Sequence, residues 1–266
     1  MTEPSRTRTP GVPCVPGAPS WVSLLAHDPT AAQAFYGPLL GWHFETVAER
    51  WGPYAHAITQ GIKVAGIGAL PDGWRSPATW TTFFGVNDID DAARRVRERI
   101  GTVGIGPMDF TSGRVAIAVD PTSAVFGLWQ GPTGPARQLQ MAGAPAWIEL
   151  STDAFAAALF YGDVLDWAGQ DAAHLEVYWE HERVVLRVDG RKVAALRTSD
   201  AGAGAAAALA RPHWHVSFSV VDLDSATDHA LRLGGGMVSP PQDSPYGRFA
   251  ALRDPEGAPF SLITPP

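Results

Sequence analysis

The sequence predicts an α+β protein built from four repeated modules that form two halves. Two series of residues recur at a nearly constant distance along the chain, and the order of strand-like and helix-like segments recurs with them. A chain of 266 residues with a hydrophobic fraction of 45% is long enough for two domains that each have a buried core. The duplication therefore predicts the arrangement of four modules in two halves, without reference to the role of any single residue.

The first series repeats without a gap at an offset of 134 residues, the distance from Trp80 to Trp214. The second series also repeats, with one residue deleted between its leucine and its aspartate. In the first series Trp80, Asp88, Pro107, Asp109, Gly113, Arg114, Ala116, Asp120, Pro121 and Phe126 recur as Trp214, Asp222, Pro241, Asp243, Gly247, Arg248, Ala250, Asp254, Pro255 and Phe260. In the second, Trp21, Leu24, Asp28, Phe35, Tyr36, Gly37 and Trp42 recur as Trp147, Leu150, Asp153, Phe160, Tyr161, Gly162 and Trp167.

Each module begins with a strand that ends at an aspartate, continues with a short helix and ends with further strands. Asp28 precedes Pro29, which is the pattern of a helix N-cap followed by a proline in the first turn. Asp88, Asp153 and Asp222 take the equivalent position in the other modules. The predicted modules cover about 19–70 and 78–131 in the first domain, 19–131, and about 145–199 and 211–266 in the second, 145–266.

Composition restricts the class of partner. Residues 1–18 are predicted to be a flexible Pro-rich arm, and residues 132–144 a linker. The single cysteine, Cys14, excludes an intramolecular disulfide and a cysteine metal cluster. A net charge of −7 argues against nucleic acid and anionic membranes, and no apolar run has the length of a membrane span. Without a hydrophobic signal core we expect a cytoplasmic protein, monomeric or homodimeric, whose partner is a small molecule.

The repeated motifs resemble the βαβββ unit of the vicinal oxygen chelate superfamily, which includes glyoxalase I, bleomycin-resistance proteins, fosfomycin-resistance enzymes and extradiol dioxygenases. The most specific motifs are those at Trp21 with Phe35-Tyr36, at Trp147 with Phe160-Tyr161, and Gly247-Arg248 with the run from Asp254 to Phe260. They are most similar to bacterial tandem glyoxalase-like proteins that carry a hydroxylase label. The resemblance implies that the modules pair into two glyoxalase-like domains, each with a cupped sheet.

In this superfamily the metal ligands come from the first and closing strands of a cup. Strand parity places His215, Ser217 and Ser219 on one face and Val216, Phe218 and Val220 on the other. Because the apolar face must meet the helices, His215 is expected to point into the cup of the second domain. The same parity adds Trp147, Glu149 and Ser151, and also Ser261 if Phe260 and Leu262 face the core.

Ser261 occupies the position where metal-binding relatives usually carry a glutamate. His215 and Glu149 would then be the only strong donors, whereas divalent-metal sites generally need at least three. We therefore expect no cofactor and keep a divalent metal as the less favoured alternative.

The cup of the first domain is predicted to be a binding pocket lined by aromatic residues. Its equivalent positions are Trp21, Ser23, Thr81 and Gly127, with Phe83 and Trp129 nearby. Tyr54 and His56 in the first domain, and Tyr178 and His181 in the second, lie on middle strands that could line a cup or face solvent.

Three functions agree with these residues. The first is a metal-independent isomerase, cyclase or lyase that acts on a carbonyl-bearing or aromatic metabolite, with Glu149 and His215 as general acid and base. Both residues could instead be structural, His215 bonding a neighbour and Glu149 closing a salt bridge. The second function is a binding protein that sequesters a drug or metabolite unchanged, and the third is a metal-dependent glyoxalase or dioxygenase.

Overall fold

The computed structural model describes residues 12–49, 52–70, 73, 77–110, 112–133, 141–169, 174–198 and 212–265. Within them the chain forms four βαβββ modules, which confirms the predicted α+β class and the glyoxalase-like cupped-sheet architecture. Two short strands, β1 (Val12–Pro13) and β10 (Pro132–Thr133), lie outside the modules.

The first half contains two modules that follow the same order. The first module comprises β2 (Pro19–Ala26), α1 (Pro29–Leu40), β3 (His43–Glu49), β4 (Gly52–Thr59) and β5 (Ile62–Ala69). The second comprises β6 (Thr79–Gly85), α2 (Ile89–Glu98), β7 (Thr102–Phe110), β8 (Gly113–Val119) and β9 (Val125–Gln130).

The second half repeats this order. The third module comprises β11 (Pro145–Thr152), α3 (Ala154–Val164), β12 (Leu175–Glu180), β13 (Arg183–Val188) and β14 (Arg191–Thr198). The fourth comprises β15 (Trp214–Ser219), α4 (Leu223–Arg232), β16 (Gly236–Ser244), β17 (Gly247–Arg253) and β18 (Pro259–Thr264).

All four helices begin at the aspartates predicted from the sequence. The carboxylate of Asp28 accepts hydrogen bonds from the backbone N–H groups of Thr30 and Ala31, and Pro29 stands in the first turn. Asp88 and Asp153 cap α2 and α3 in the same way, and Asp222 caps α4 by accepting from the backbone N–H of Ser225. The cap satisfies N–H groups that have no partner within the helix, so the repeated aspartate fixes where each helix begins.

Each half forms one eight-stranded sheet, and the two sheets have the same topology. The first runs β3-β4-β5-β2-β6-β9-β8-β7, and the second runs β12-β13-β14-β11-β15-β18-β17-β16. The modules of a half join through their first strands, β2 against β6 and β11 against β15, and both pairs are antiparallel. The two modules of each half therefore pair with each other.

One face of each sheet packs into a core that both halves share. Val216 and Phe218 belong to this core, whereas His215 and Ser217 face the opposite side, as strand parity predicted. Helix α1 packs against α4, and α2 packs against α3. The ring of Tyr36 in α1 contacts the rings of Phe218 and Phe260 from the second half. The helices and the backs of the sheets thus form one continuous apolar interior.

The last residues of the predicted arm are part of the folded body. Strand β1 pairs with β10, and the indole Nε1 of Trp167 donates to the carbonyl of Gly17 at 2.9 Å. Burial raises the pKa of the Cys14 thiol, which therefore stays protonated near neutral pH. Residues 1–11 of the arm and 134–140 of the predicted linker lie outside the described residues. None of the described helices combines the length and apolar character needed to span a membrane.

Candidate functional site

We call the face of the second sheet that is turned away from the shared core the second cup, and the matching face of the first sheet the first cup. In the second cup the strand register places Glu149 directly opposite His215, and Ser217 directly opposite Ser261. All four residues are buried. The two residues predicted to act as acid and base are therefore neighbours on adjacent strands.

The imidazole of His215 is held by hydrogen bonds at both ring nitrogens. Its Nε2 lies 2.8 Å from the hydroxyl of Ser261, and its Nδ1 lies 3.3 Å from Nε2 of His213. Burial, reinforced by the nearby His213, holds the pKa of His215 well below its usual value of 6.5. The ring is therefore neutral near pH 7 and retains a lone pair that can accept a proton.

Glu149 is engaged in a buried ion pair with Arg197, a residue that the sequence did not single out. The Nε of Arg197 donates to Oε1 of Glu149 at 3.0 Å, and a terminal nitrogen of Arg197 donates to the hydroxyl of Ser151 at 3.3 Å. Arg197 is 0% exposed. Two charges removed from water cost free energy unless each is paired and hydrogen-bonded, so this arginine and carboxylate depend on each other. The salt bridge is the structural role that the sequence left open for Glu149.

An aromatic stack lies in the same cup. The rings of Trp147 and Tyr246 stack with centroids 3.8 Å apart and planes 20° apart. Two cations from other strands, Arg183 and Lys192, lie over the ring of Tyr246 at 5.4 and 5.8 Å from its centroid. Tyr246 comes from the turn between β16 and β17, so it reaches the cup from the edge opposite to the two cations.

Two further predicted residues lie at the margins of this cup. Tyr178 on β12 accepts a hydrogen bond from Arg187 at 2.9 Å, and the Arg187 guanidinium lies 4.8 Å from the Tyr178 ring centroid. Ser219 ends β15 and is buried opposite Ile263. His181 is exposed in the turn between β12 and β13.

The first cup has a different lining, made mostly of aromatic side chains and glycines. The indole Nε1 of Trp21 donates to the hydroxyl of Tyr54 at 2.9 Å, and the hydroxyl of Ser23 lies 3.1 Å from the same oxygen. Tyr54 lies across Gly66, where an added Cβ would stand 1.7 Å from the tyrosine hydroxyl. Thr81 pairs with Ser23 across β2 and β6 and is buried.

Glycines also make room for the other predicted aromatic residues of the first cup. A Cβ on Gly127 would stand 2.0 Å from the ring of Phe83, and one on Gly113 would stand 2.9 Å from the ring of Trp129. The side chains of Trp21 and Trp129 remain partly exposed, and so does that of Tyr54. The predicted aromatic residues therefore form a surface of rings laid over glycines, and the binding role of this surface stays a prediction.

The internal repeat allows the two cups to be compared position by position. Ser23 corresponds to Glu149, Thr81 to His215, and Gly127 to Ser261. Arg197 pairs with Ser151, and the matching pair in the first sheet is Gly68 with Leu25. We call Glu149, Arg197, His215 and Ser261 the central cluster; the matching positions of the first cup carry no charged or imidazole side chain.

The central cluster does not fit a divalent metal. Its strong donors are His215 and Glu149, each already bonded to a neighbour, and the third position is the hydroxyl of Ser261. Across the described ranges, no group of three or more His, Cys, Asp or Glu side chains is arranged to hold a metal ion. Carboxylate and imidazole sites generally need at least three such donors, so the central cluster lacks the ligand set of a divalent-metal site.

Comparison with known proteins agrees with this architecture. A family model described as a glyoxalase-like domain matches residues 147–263. The anthracycline biosynthesis protein DauV of Streptomyces sp. (strain C5) is 35% identical over 265 residues, which cover 93% of each chain. CFP32 of Mycobacterium tuberculosis, whose name suggests a glyoxylase, is 34% identical over 261 residues, which cover 94% of this chain and 95% of CFP32.

A solved structure gives the same fold at low sequence identity. The Mn(II)-bound glyoxalase of Novosphingobium aromaticivorans superposes with a TM-score of 0.57 at 17% identity, over 95% of this chain and 82% of that chain. At this identity the likeness shows the fold alone. The two relatives that match nearly end to end show that the chain belongs to the glyoxalase-like family of the vicinal oxygen chelate superfamily.

Proposed function

We propose that the second cup takes a small carbonyl-bearing or aromatic metabolite and converts it by metal-independent acid–base chemistry, as an isomerase, cyclase or lyase. The observation that carries this proposal is the central cluster of Glu149, Arg197, His215 and Ser261, which the first cup lacks although both cups derive from one repeat. A buried ion pair beside a buried imidazole costs free energy, and the first sheet folds without either.

His215 is the proposed proton acceptor. Its imidazole is neutral near pH 7, as a general base requires, and Ser261 occupies its Nε2. The Ser261 hydroxyl would give its proton to Nε2 of His215 and take up the proton from the carbon beside a substrate carbonyl. The electron pair of the broken C–H bond would remain on the substrate as an enolate.

Arg197 is the proposed partner of the enolate oxygen, where the negative charge collects. A fixed cation in a site shielded from water stabilises such a charge without having to reorganise. Glu149 acts here as a positioning residue, because its carboxylate holds the guanidinium beside β11. This assignment gives Glu149 a different role from the acid or base that the sequence suggested.

The name of DauV, a protein of anthracycline biosynthesis, favours polycyclic aromatic ketones as the first compounds to test. The sharpest assay follows deuterium uptake from solvent at the carbon beside the carbonyl, because this partial reaction needs only the base and the oxyanion partner. We expect His215→Gln to lower the exchange rate by roughly a hundredfold or more, the usual contribution of a general base. His27→Gln, in an exposed loop, is the matched control and is expected to leave the rate unchanged. Equal exchange by His215→Gln and the unsubstituted protein would remove His215 from the mechanism.

A second candidate function is sequestration without conversion. One observation favours it: the polar groups of the central cluster already satisfy one another, Glu149 through Arg197 and His215 through Ser261. Saturable tight binding with full recovery of the unchanged compound after long incubation would support sequestration over turnover. Near-stoichiometric metal in protein purified without chelators would instead revive a metal-dependent glyoxalase or dioxygenase.

A further inference from the structure

His56 in the first cup has hydrogen-bonding capacity that the described residues do not use. It lies on β4, between Glu45 on β3 and Gly66 on β5. Its Nδ1 is buried and makes no hydrogen bond with a described residue. A buried polar atom without a partner is uncommon in folded proteins and calls for a physical explanation.

The second ring nitrogen carries the proton. Burial is the main cause that lowers the pKa of His56, so the ring is neutral near pH 7 and has one N–H group. A proton on Nδ1 would be a buried donor without an acceptor, whereas a proton on Nε2 faces the less shielded side of the mostly buried ring. The favoured tautomer therefore offers a free N–H donor from Nε2.

Two aromatic rings pack against the ring of His56. Trp21 meets the His56 ring edge-on with centroids 5.8 Å apart, and Tyr54 meets it edge-on at 5.6 Å. Tyr54 in turn contacts Phe110 from the opposite edge of the sheet at 5.6 Å. Flat rings with a single donor beside them suit a planar molecule that carries one acceptor.

The charges nearby cancel. Two charged groups act on His56, Glu45 and Lys63, and they pair with each other at 3.1 Å on exposed side chains. The second cup differs, because Val185 takes the place of His56 there and Arg183 takes the place of Tyr54. The first cup therefore suits an uncharged ligand.

We infer that the first cup is a separate binding site for a neutral, planar aromatic ketone whose carbonyl oxygen accepts a hydrogen bond from Nε2 of His56. This site is independent of the chemistry proposed for the second cup, and either assignment can fail while the other holds.

The test compares 9-fluorenone with fluorene, which has the same flat shape but lacks the carbonyl. Binding to the full chain is followed by quenching of tryptophan fluorescence and by calorimetry. We expect 9-fluorenone to bind roughly fivefold more tightly than fluorene, the contribution of one neutral hydrogen bond. His56→Phe should abolish this preference while fluorene still binds, and His56→Gln, which keeps an N–H donor, should retain part of it.

His27→Phe makes the same chemical change on an exposed loop and should keep the full preference. Circular dichroism and a thermal unfolding curve establish that each variant is folded. The inference is overturned if the unsubstituted protein binds both compounds equally, or if folded His56→Phe still prefers 9-fluorenone by the same factor. Deuterium exchange in the second cup reports separately on the chemistry proposed there.

Discussion

The hydroxyl of Tyr36, in the first half, donates a hydrogen bond to the carboxylate of Asp254, in the second half, at 3.1 Å. The same hydroxyl accepts from the indole of Trp80 at 2.9 Å. The repeat reproduces this arrangement in the other direction: Trp214 donates to Tyr161 at 2.9 Å, and Tyr161 donates to Asp120 of the first half at 2.9 Å. Each half thus binds the tyrosine of the other through the aspartate of its Asp-Pro turn.

Replacing Tyr36 by phenylalanine should destabilise the whole protein. The change leaves the buried Nε1 of Trp80 without an acceptor and takes a donor from Asp254, at a cost of about 1–3 kcal/mol. Tyr161→Phe should cost a similar amount, and the double variant should show the sum of both effects because the two sites are distinct. Urea unfolding curves measure all three free energies. A loss for Tyr36→Phe within about 0.5 kcal/mol of zero would show that this hydrogen bond does not support the interface.

Removing the charge of Arg197 alone should be among the most damaging single changes in the second half. Arg197→Met leaves Glu149 as an unpaired buried carboxylate, which typically costs about 3–5 kcal/mol. The double variant Arg197→Met with Glu149→Leu should recover most of the loss, because apolar pairs often replace buried ion pairs without penalty.

Arg183→Met is the matched control for this pair. It removes a partly exposed arginine from the neighbouring strand and should cost less than about 1 kcal/mol. Comparable losses from Arg183→Met and Arg197→Met, or no recovery in the double variant, would contradict the assigned dependence between Arg197 and Glu149.

Stability should fall when the solution is acidified through the range in which an unfolded histidine takes up its proton. His215 stays neutral in the folded state, so below pH 6.5 the unfolded chain binds a proton that the folded chain does not. The contribution of His215 is therefore constant above about pH 7 and declines by about 1.4 kcal/mol per pH unit below 6.5, until the lowered folded pKa is reached.

Urea unfolding at about pH 5 and about pH 7.5 measures this effect as the difference between the unsubstituted protein and His215→Gln. Burial raises the pKa of Asp254, so its contribution to stability changes with pH in the opposite direction, but both proteins contain Asp254 and the difference between them removes that contribution. His56 also has a lowered pKa and contributes equally to both proteins. Parallel pH profiles for the two proteins would contradict a buried neutral His215.

Gly127→Ala should disturb the first cup and leave the second intact. The new methyl group would stand 2.0 Å from the Phe83 ring, so the ring must move at a cost of about 1–3 kcal/mol. Gly236→Ala is the matched control, since its added Cβ meets nothing within 4 Å. Thermal unfolding gives the stability change, and weaker binding of 9-fluorenone should accompany it. Unchanged stability and binding in Gly127→Ala would show that Phe83 has room that the structure does not indicate.

The sequence predicted the modules, the helix starts and the orientation of β15 because local chemistry marks all of them. In β15 every second residue is polar and the others are apolar, so the period of the strand assigns His215 to the cup. Arg197 gave no such signal. The preceding residues of β14, from Val193 to Leu196, are all apolar and buried, and an arginine after such a run resembles the exposed end of a strand.

The periodicity of polar and apolar residues also did not predict contacts between segments that are distant in the sequence. Tyr246, in the turn between β16 and β17, stacks on Trp147 of β11 although three strands lie between β11 and β16 in the sheet, and no local period encodes that contact. The repeated Trp, Tyr and Asp positions were visible in the sequence, but it does not reveal that each tyrosine bonds the aspartate of the opposite half. Such information resides in the tertiary arrangement.

The crossed tyrosine hydrogen bonds restrict which residues can change on the back face of each sheet, but not on its cup face. On the back face, a substitution of Asp120 removes the hydrogen-bond acceptor of Tyr161 in the other half, so a substitution there in one half also affects the other half. No such bond joins the described residues of the two cup faces. At equivalent positions of the repeat, the first cup carries Thr81 where the second carries His215, and Gly127 where the second carries Ser261. The repeat thus gives one chain two cup faces whose residues can differ independently, whereas the core and the crossed hydrogen bonds behind them are shared by both halves.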